Sequence, residues 1–278
     1  MKDLYDKVSF KCSRIATVKY STSFSLGILC LDRELRDPIY GIYGFVRFAD
    51  EIVDTFHEYD KKTLLERFEK DTYQAIDEKI SLNPILNSFQ RVVNQYNIDH
   101  ELIDLFLRSM EMDLTKKAYD QDKFEAYILG SAEVVGLMCL CVFCKGDKEM
   151  YKELKPYAMK LGSAFQKINF LRDLNADFKG MGRTYFPGLS IGEFDDDSKK
   201  LIEESIEADF QMGLEGIKKL PKSAKFGVYL AYVYYHALFN KIRKTPSNYI
   251  LESRIRIPNQ KKYSILLSTY LKHRLNLI

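Results

Sequence analysis

Gln166, Asn169, Asp173 and Asp177 recur at steps of three, four and four in the stretch Gly162-Ser-Ala-Phe-Gln-Lys-Ile-Asn-Phe-Leu-Arg-Asp-Leu-Asn-Ala-Asp177. That spacing places them on one face of an α-helix. The face carries two carboxylates and two amides, so the acceptors in reach are nearly all oxygens. Oxygen donors suit a hard cation such as Mg²⁺, which takes one or two carboxylates and fills its shell with water and phosphate. A second stripe lies far upstream in Arg47-Phe-Ala-Asp50-Glu-Ile-Val-Asp54, with Asp50 and Asp54 at i and i+4 and Arg47 one turn before. A lone Asp-x-x-x-Asp is most often a solvated helix face. Here Phe45, Val46, Phe48, Ala49, Ile52 and Val53 surround the first pair, while Phe165, Ile168, Phe170 and Leu171 crowd Asn169 and Asp173. Charge embedded in apolar sequence is costly unless it is paired. The two stripes are therefore expected to share one cavity, where metal ions neutralise them. Such a cavity is a site for a polyanion.

The elements that must hold these stripes read as helix after helix. Residues 4–18 form a first amphipathic stretch. Asp37-Pro38 predicts an N-cap with proline at the first helical position, opening a helix that runs through Asp54 to about His57. Asp60 caps the next helix, Asn83-Pro84 starts one that reaches about Tyr96, and Asp99 starts another. Residues 123–144 form a more apolar, central helix, and Pro156 lies in the first turns of the element leading into the 162–177 stripe. Lys179 to Pro187, rich in glycine and followed by the acidic run Glu193 to Asp197, reads as a loop or flap. Helices resume over 198–219 and 222–244, and a basic helix follows Pro258. No strand-period run and no internal repeat appear, so the class is all-α.

Composition sets further bounds. The 278 residues show no linker and read as one domain over 1–278, with 46% hydrophobic and 13% aromatic residues to build a large core. A net charge of +3 is too small to imply nucleic acid, and the aromatics lack the glycine-spaced RNA-binding pattern. Cys12, Cys30, Cys139, Cys141 and Cys144 lie in or beside apolar runs, with no second half to a zinc motif. They read as reduced core cysteines of a cytoplasmic protein. The N-terminus shows no signal-peptide core, and the longest apolar run, Val134 to Phe143, is about half of what a bilayer span needs. The protein is expected to be soluble, or at most peripheral on a membrane surface. Lys261, Lys262, Lys272, His273 and Arg274 form a basic cluster that reads first as a solvated face and second as such a membrane contact.

At this point the residues resemble a known family. Arg47-x-x-Asp50-x-x-x-Asp54 is paired with Gln166-x-x-Asn169-x-x-Arg172-Asp173-x-x-x-Asp177 and followed by Gly182-Arg-Thr-Tyr-Phe-Pro187. Tyr20-Ser-Thr-Ser-Phe24 and Tyr127-x-x-Gly-x-Ala-x-x-Val-Gly136 occur in the matching order. Together they are similar to the squalene/phytoene synthases over nearly the whole chain.

The resemblance implies an isoprenoid-synthase helical bundle with a central active-site cavity. It also implies head-to-head (1–1′) condensation of two allylic diphosphates through a cyclopropylcarbinyl diphosphate. By that likeness Asp50, Asp54, Asn169, Asp173 and Asp177 would hold Mg²⁺, with Mn²⁺ as a substitute. Arg47, Gln166, Arg172, Arg183, Tyr185, Arg254 and Lys262 would serve the diphosphates, and Tyr127 and Tyr235 would lie near the reacting carbons. The cavity must otherwise be dry, because water quenches carbocations. Phe24, Leu26, Val134, Val135, Leu137, Met138 and Ile168 are the expected wall. Geranylgeranyl diphosphate to phytoene is the first expectation, and farnesyl diphosphate to dehydrosqualene the second. Squalene, which needs hydride from NADPH, or a hydroxysqualene-type product is third, and the C-terminus shows no hydrophobic anchor of the kind that tethers squalene synthases.

Two departures stand out: Ala132-Glu133 where the family has a small pair, and Leu129 where many members have an aromatic. A non-catalytic relative acting as an assembly factor should have broken aspartate motifs, and here they are intact. A single-substrate terpene cyclase would lack the arginine before the first motif, the Gln-x-x-Asn spacing and the Arg-Thr-Tyr-Phe-Pro flap.

Overall fold

The computed structural model describes residues 1–115, 119–181, 185–187 and 194–274, apart from the side chains of 176–181, 259 and 272–274. Helices account for nearly all of it, and no strand occurs among the described residues. The elements are α1 (Lys2–Tyr20), α2 (Thr22–Leu29), α3 (Arg33–Asp54), α4 (Lys61–Glu78), α5 (Pro84–Tyr96), α6 (His100–Thr115) and α7 (Gln121–Ile128). A π-helical turn, Leu129–Glu133, joins α7 to α8 (Val134–Cys144). Then come α9 (Lys148–Met181), α10 (Asp196–Lys219), α11 (Lys222–Arg243), α12 (Ser247–Ile250) and α13 (Asn259–Arg274).

Capping chemistry sets several starts. Asn83 Oδ1 accepts from the backbone N–H of Ile85 at 3.0 Å, with Pro84 at the first helical position. The Asp60 carboxylate accepts from Thr63 N–H at 3.2 Å. Ser21 Oγ accepts from Phe24 N–H at 3.2 Å and opens α2, a helix too short to show in the periodicity. The Asp37-Pro38 expectation is corrected: α3 begins at Arg33, so Pro38 sits inside it. The ring removes the ladder bond to the carbonyl of Glu34, an exposed residue in the first turn of α3. Pro156 is likewise internal, because α9 begins at Lys148.

α7, the π turn and α8 form one continuous run that is apolar and long enough to cross a membrane. It packs instead against α3, α6 and α9. Glycines permit this. A Cβ on Gly130 would lie 2.5 Å from the Leu105 carbonyl oxygen of α6, and one on Gly162 would lie 2.8 Å from the Ala132 carbonyl oxygen of the π turn. Both obstacles are backbone, so neither can swing aside. Gly162→Val is therefore expected to cost about 1–3 kcal/mol, read in thermal unfolding as a Tm fall of roughly 3–10 °C. An unchanged Tm would show that the contact between the π turn and α9 is not this tight.

Two apolar clusters result. One is built on α3, α4, α5, α6 and α8 around the stacked Phe45 and Phe89 rings, 3.8 Å between centroids. The other gathers α7, the C-terminal half of α9, α10 and α11. α1 is amphipathic as expected, but reversed: the residues it buries are Asp6, Ser9, Ser13 and Thr17.

Candidate active site

A cavity of about 720 Å³ lies between the two clusters and draws its wall from both. Each contributing helix presents a stripe at steps of three and four. α3 gives Ile39, Ile42, Tyr43, Val46, Arg47, Asp50 and Asp54; α9 gives Tyr157, Leu161, Phe165, Gln166, Asn169, Arg172 and Asp173. The π turn and α8 give Ala132, Val135, Gly136, Cys139, Leu140 and Phe143. The two polar stripes, more than a hundred positions apart in sequence, therefore face one space.

The α3 side is acidic. Asp50 keeps 32% of its side-chain surface open, and that surface looks into the cavity. Burial and the adjacent charge of Asp54 push Asp50 up to about 8, against the pull of Arg47, with Asp113 adding to the rise. Arg47 donates to Glu51, lies 3.9 Å from Asp50 and stacks its guanidinium over the Tyr20 ring at 4.3 Å. Its Nε is buried with no partner among the described residues.

The α9 side carries more cationic groups. Arg172 Nε donates to Asp173 Oδ1 at 3.0 Å, and Arg254 Nε reaches the same oxygen at 2.6 Å. Asn169 donates to Gln166 at 3.2 Å and accepts from the Tyr235 hydroxyl at 3.3 Å.

Between these sides lie two aromatic groups. Phe165 stacks on Tyr235 with centroids 4.0 Å apart, and Phe24 lies 5.8 Å from both Tyr235 and Tyr43. Tyr185 stacks on Phe170 at 4.1 Å and lies 5.4 Å from Tyr127. The Tyr127 hydroxyl donates to Asp113 Oδ2 at 2.6 Å. Burial, then the charge of Asp113, push that hydroxyl well above its ordinary value, so it stays protonated. Cys139 in the wall is pushed up to about 12 by burial and is an inert thiol; all five cysteines are free.

Of the residues singled out from sequence, the cavity gathers Phe24, Arg47, Asp50, Asp54, Tyr127, Gln166, Asn169, Arg172, Asp173, Tyr185, Tyr235 and Arg254. Lys262 is not in the wall. It lies on α13, half-buried, and burial together with the charge of Arg172 lowers its pKa. The Asp177 side chain and all of Arg183 lie outside the described residues. The expected wall needs correction. Phe24 and Val135 line it, whereas Leu26, Val134, Leu137, Met138 and Ile168 do not, and the last four are core residues under 3% exposed. Asp113 was missed. α6 also carries Glu101, Asp104 and Glu111, but no acid lies three or four positions from Asp113, so no acidic stripe flags it.

Glu133 points away from the cavity, toward Lys160, Lys167 and Asp209. Burial is the largest cause that pushes it up to about 7, with Asp209 and Glu125 raising it and the two lysines opposing. A carboxyl whose folded value exceeds its unfolded one weakens the fold as pH rises from about 4.5 to about 7. Glu133→Gln is thus expected to raise Tm by roughly 2–6 °C at pH 8 and to leave it unchanged near pH 4. An equal shift at both pH values would remove burial of the charge as the cause.

Among the described residues no three acidic, His or Cys side chains cluster tightly enough to hold an ion alone. The donors suit a cation that shares its shell with a phosphate ligand. Crowding of Asp50, Asp54 and Asp113 around one buried space is the feature such a cation would relieve.

Comparison with known proteins agrees with this geometry. The chain is similar to phytoene synthase 1, chloroplastic, of Solanum lycopersicum, with 25% identity over 98% of this chain and 69% of the relative. It is also similar to the 4,4'-diapophytoene synthase of Staphylococcus haemolyticus, with 22% identity over 88% of this chain and 90% of the relative. Its fold matches a crystal structure of a dehydrosqualene synthase in complex with ligand, with a TM-score of 0.83, 21% identity, and 96% and 98% of the two chains covered. The sequence model for squalene/phytoene synthase matches residues 17–261. With both aspartate stripes facing one apolar cavity and that match spanning most of its length, the chain belongs to the squalene/phytoene synthase family of prenyltransferases.

Proposed function

We propose that this protein condenses two molecules of geranylgeranyl diphosphate head to head, forming phytoene and releasing pyrophosphate. Members of the family act on prenyl diphosphates, and the convergence of the 50–54 and 166–173 stripes on one apolar cavity carries the reading. The choice of a twenty-carbon substrate is supported by phytoene synthases among the relatives, of which the tomato protein is one.

Asp50, Asp54, Asn169, Asp173 and Asp177 would hold divalent metal, Mg²⁺ or Mn²⁺, which when bound supplies Lewis-acid charge to the leaving diphosphate. The chain's own groups do the rest. Arg47, Arg172 and Arg254 offer fixed positive charge where the departing oxygens gain negative charge. Gln166, Asn169 and Tyr235 form a hydrogen-bonded chain that holds the α9 amides in place. The rings of Phe24, Phe165, Tyr235, Tyr127 and Tyr185 turn apolar π surface to an allylic cation and keep water out. Asp113 fixes the Tyr127 ring through its hydroxyl.

A second reading, farnesyl diphosphate to dehydrosqualene, is favoured by the likeness to the dehydrosqualene synthase structure and to the staphylococcal enzyme. Incubation of the purified protein with Mg²⁺ and each diphosphate, with and without NADPH, separates the two. Pyrophosphate release with a C₄₀ triene chromophore from geranylgeranyl diphosphate is expected. A C₃₀ product from farnesyl diphosphate alone would replace the first reading with the second, NADPH-dependent squalene would replace both, and no turnover with either substrate would reject catalysis.

A further inference from the structure

α1 is inside out. Its buried face is polar, and that face is built rather than accidental. The Asp6 carboxylate accepts from Arg91 at 2.7 Å and from Asn87 at 3.0 Å, Asn87 also donates to Ser9 Oγ at 3.0 Å, and Ser13 Oγ pairs with Ser88 Oγ at 2.7 Å. Gly44 of α3 lets the helix come close, since a Cβ there would lie 2.6 Å from Ser13 Oγ. These bonds to α5 fix the rotation of α1 about its axis.

The consequence is that Leu4, Val8, Ile15 and Val18, at steps of four, seven and three, form one stripe turned to the outside. They are 64%, 43%, 61% and 51% exposed. Lys11 lies within the stripe, and Lys7 and Lys19 flank it, all exposed. Asp3 is the single exposed acid of α1. An apolar stripe held outward by a hydrogen-bonded polar seam, with basic side chains along it, has the pattern of a helix lying in a membrane interface.

We infer that the outer face of α1 docks this protein on an anionic lipid bilayer. Charge selects this occupant over a second copy, because a two-fold contact through the stripe would gather Lys7, Lys11 and Lys19 of both copies into one interface, with Asp3 the one exposed acid of α1 to offset them. An anionic surface takes the same lysines favourably, while the four apolar side chains enter the headgroup boundary. Tyr20 and Ser21, at the end of α1, line the cavity, so the docked helix leads to the mouth of the active site.

The test uses the full chain, without substrate, and vesicles of phosphatidylcholine with or without phosphatidylglycerol. Its outcome is then independent of the reaction assigned to the cavity. The wild type is expected to sediment with the phosphatidylglycerol vesicles and to be released by salt. Val8→Asp with Ile15→Asp, and separately Lys7→Glu with Lys11→Glu, are each expected to weaken binding about tenfold or more with Tm unchanged. The charge pair keeps the test decisive if the apolar pair alters stability. Failure of the wild type to sediment at low salt, or wild-type binding by both pairs, would overturn the inference. A concentration-dependent dimer dissolved by Val8→Asp with Ile15→Asp would overturn it too, by assigning the stripe to a second copy.

Discussion

Asp50→Asn should lower turnover by about 10³-fold or more and leave the fold intact. The loss follows from position: Asp50 opens into the cavity on the stripe that also carries Arg47 and Asp54, opposite Asn169 and Asp173. The preserved fold follows from electrostatics. Burial, Asp54 and Asp113 all disfavour a charge on Asp50, so a neutral isostere removes a cost rather than a support. In metal-free buffer the Asn variant should therefore melt no lower than the wild type. With Mg²⁺ and pyrophosphate added, the wild type should gain more in Tm than the variant, because ligation at Asp50 is then linked to folding. Near-normal rates at saturating Mg²⁺, or equal Tm gains, would show that this carboxylate does not serve the metal.

The same residues show what the chain declares in one dimension and what it withholds. Asn83-Pro84, Asp60 and the i, i+3, i+4 spacing of the two aspartate stripes act through local geometry, and the helices form where those signals stand. The phase of a helix about its axis is another matter. α8 is apolar on every side, so its sequence contains no preferred direction. Val134, Leu137 and Met138 turn into the core while Val135, Cys139 and Leu140 face the cavity. α1 has a clear direction, and the ordinary expectation of apolar inward is reversed by the seam from Asp6 to Ser88, whose partners come from another helix. Asp113 is hidden for a related reason: its meaning lies in the hydroxyl of Tyr127 and in the field at Asp50, both reached only through tertiary packing. Glu133 shows the converse, a departure next to the cavity wall that the π turn directs outward to Lys160 and Asp209.

Asp173→Asn should separate two tasks that the α9 wall performs at once. Asp173 is held by Arg172 at 3.0 Å and by Arg254 at 2.6 Å, so without substrate its negative charge is spent on two guanidinium groups. Removing it takes away an oxygen ligand for metal and leaves both arginines without that counter-charge. Turnover should fall by about 10³-fold, as for Asp50→Asn. Pyrophosphate binding without Mg²⁺ should behave differently: titration calorimetry should give an affinity equal to or tighter than that of the wild type. The two guanidinium groups then meet the anion with no internal carboxylate competing for them. Stability should change little, because Arg254 is 47% exposed and such a pair contributes only about 0–1 kcal/mol. Arg254→Ala supplies the contrast, since it should weaken metal-free pyrophosphate binding while keeping the Asp173 carboxylate. If Asp173→Asn instead loses pyrophosphate affinity in the absence of Mg²⁺, the arginines do not hold the diphosphate and the division of labour along α9 is wrong.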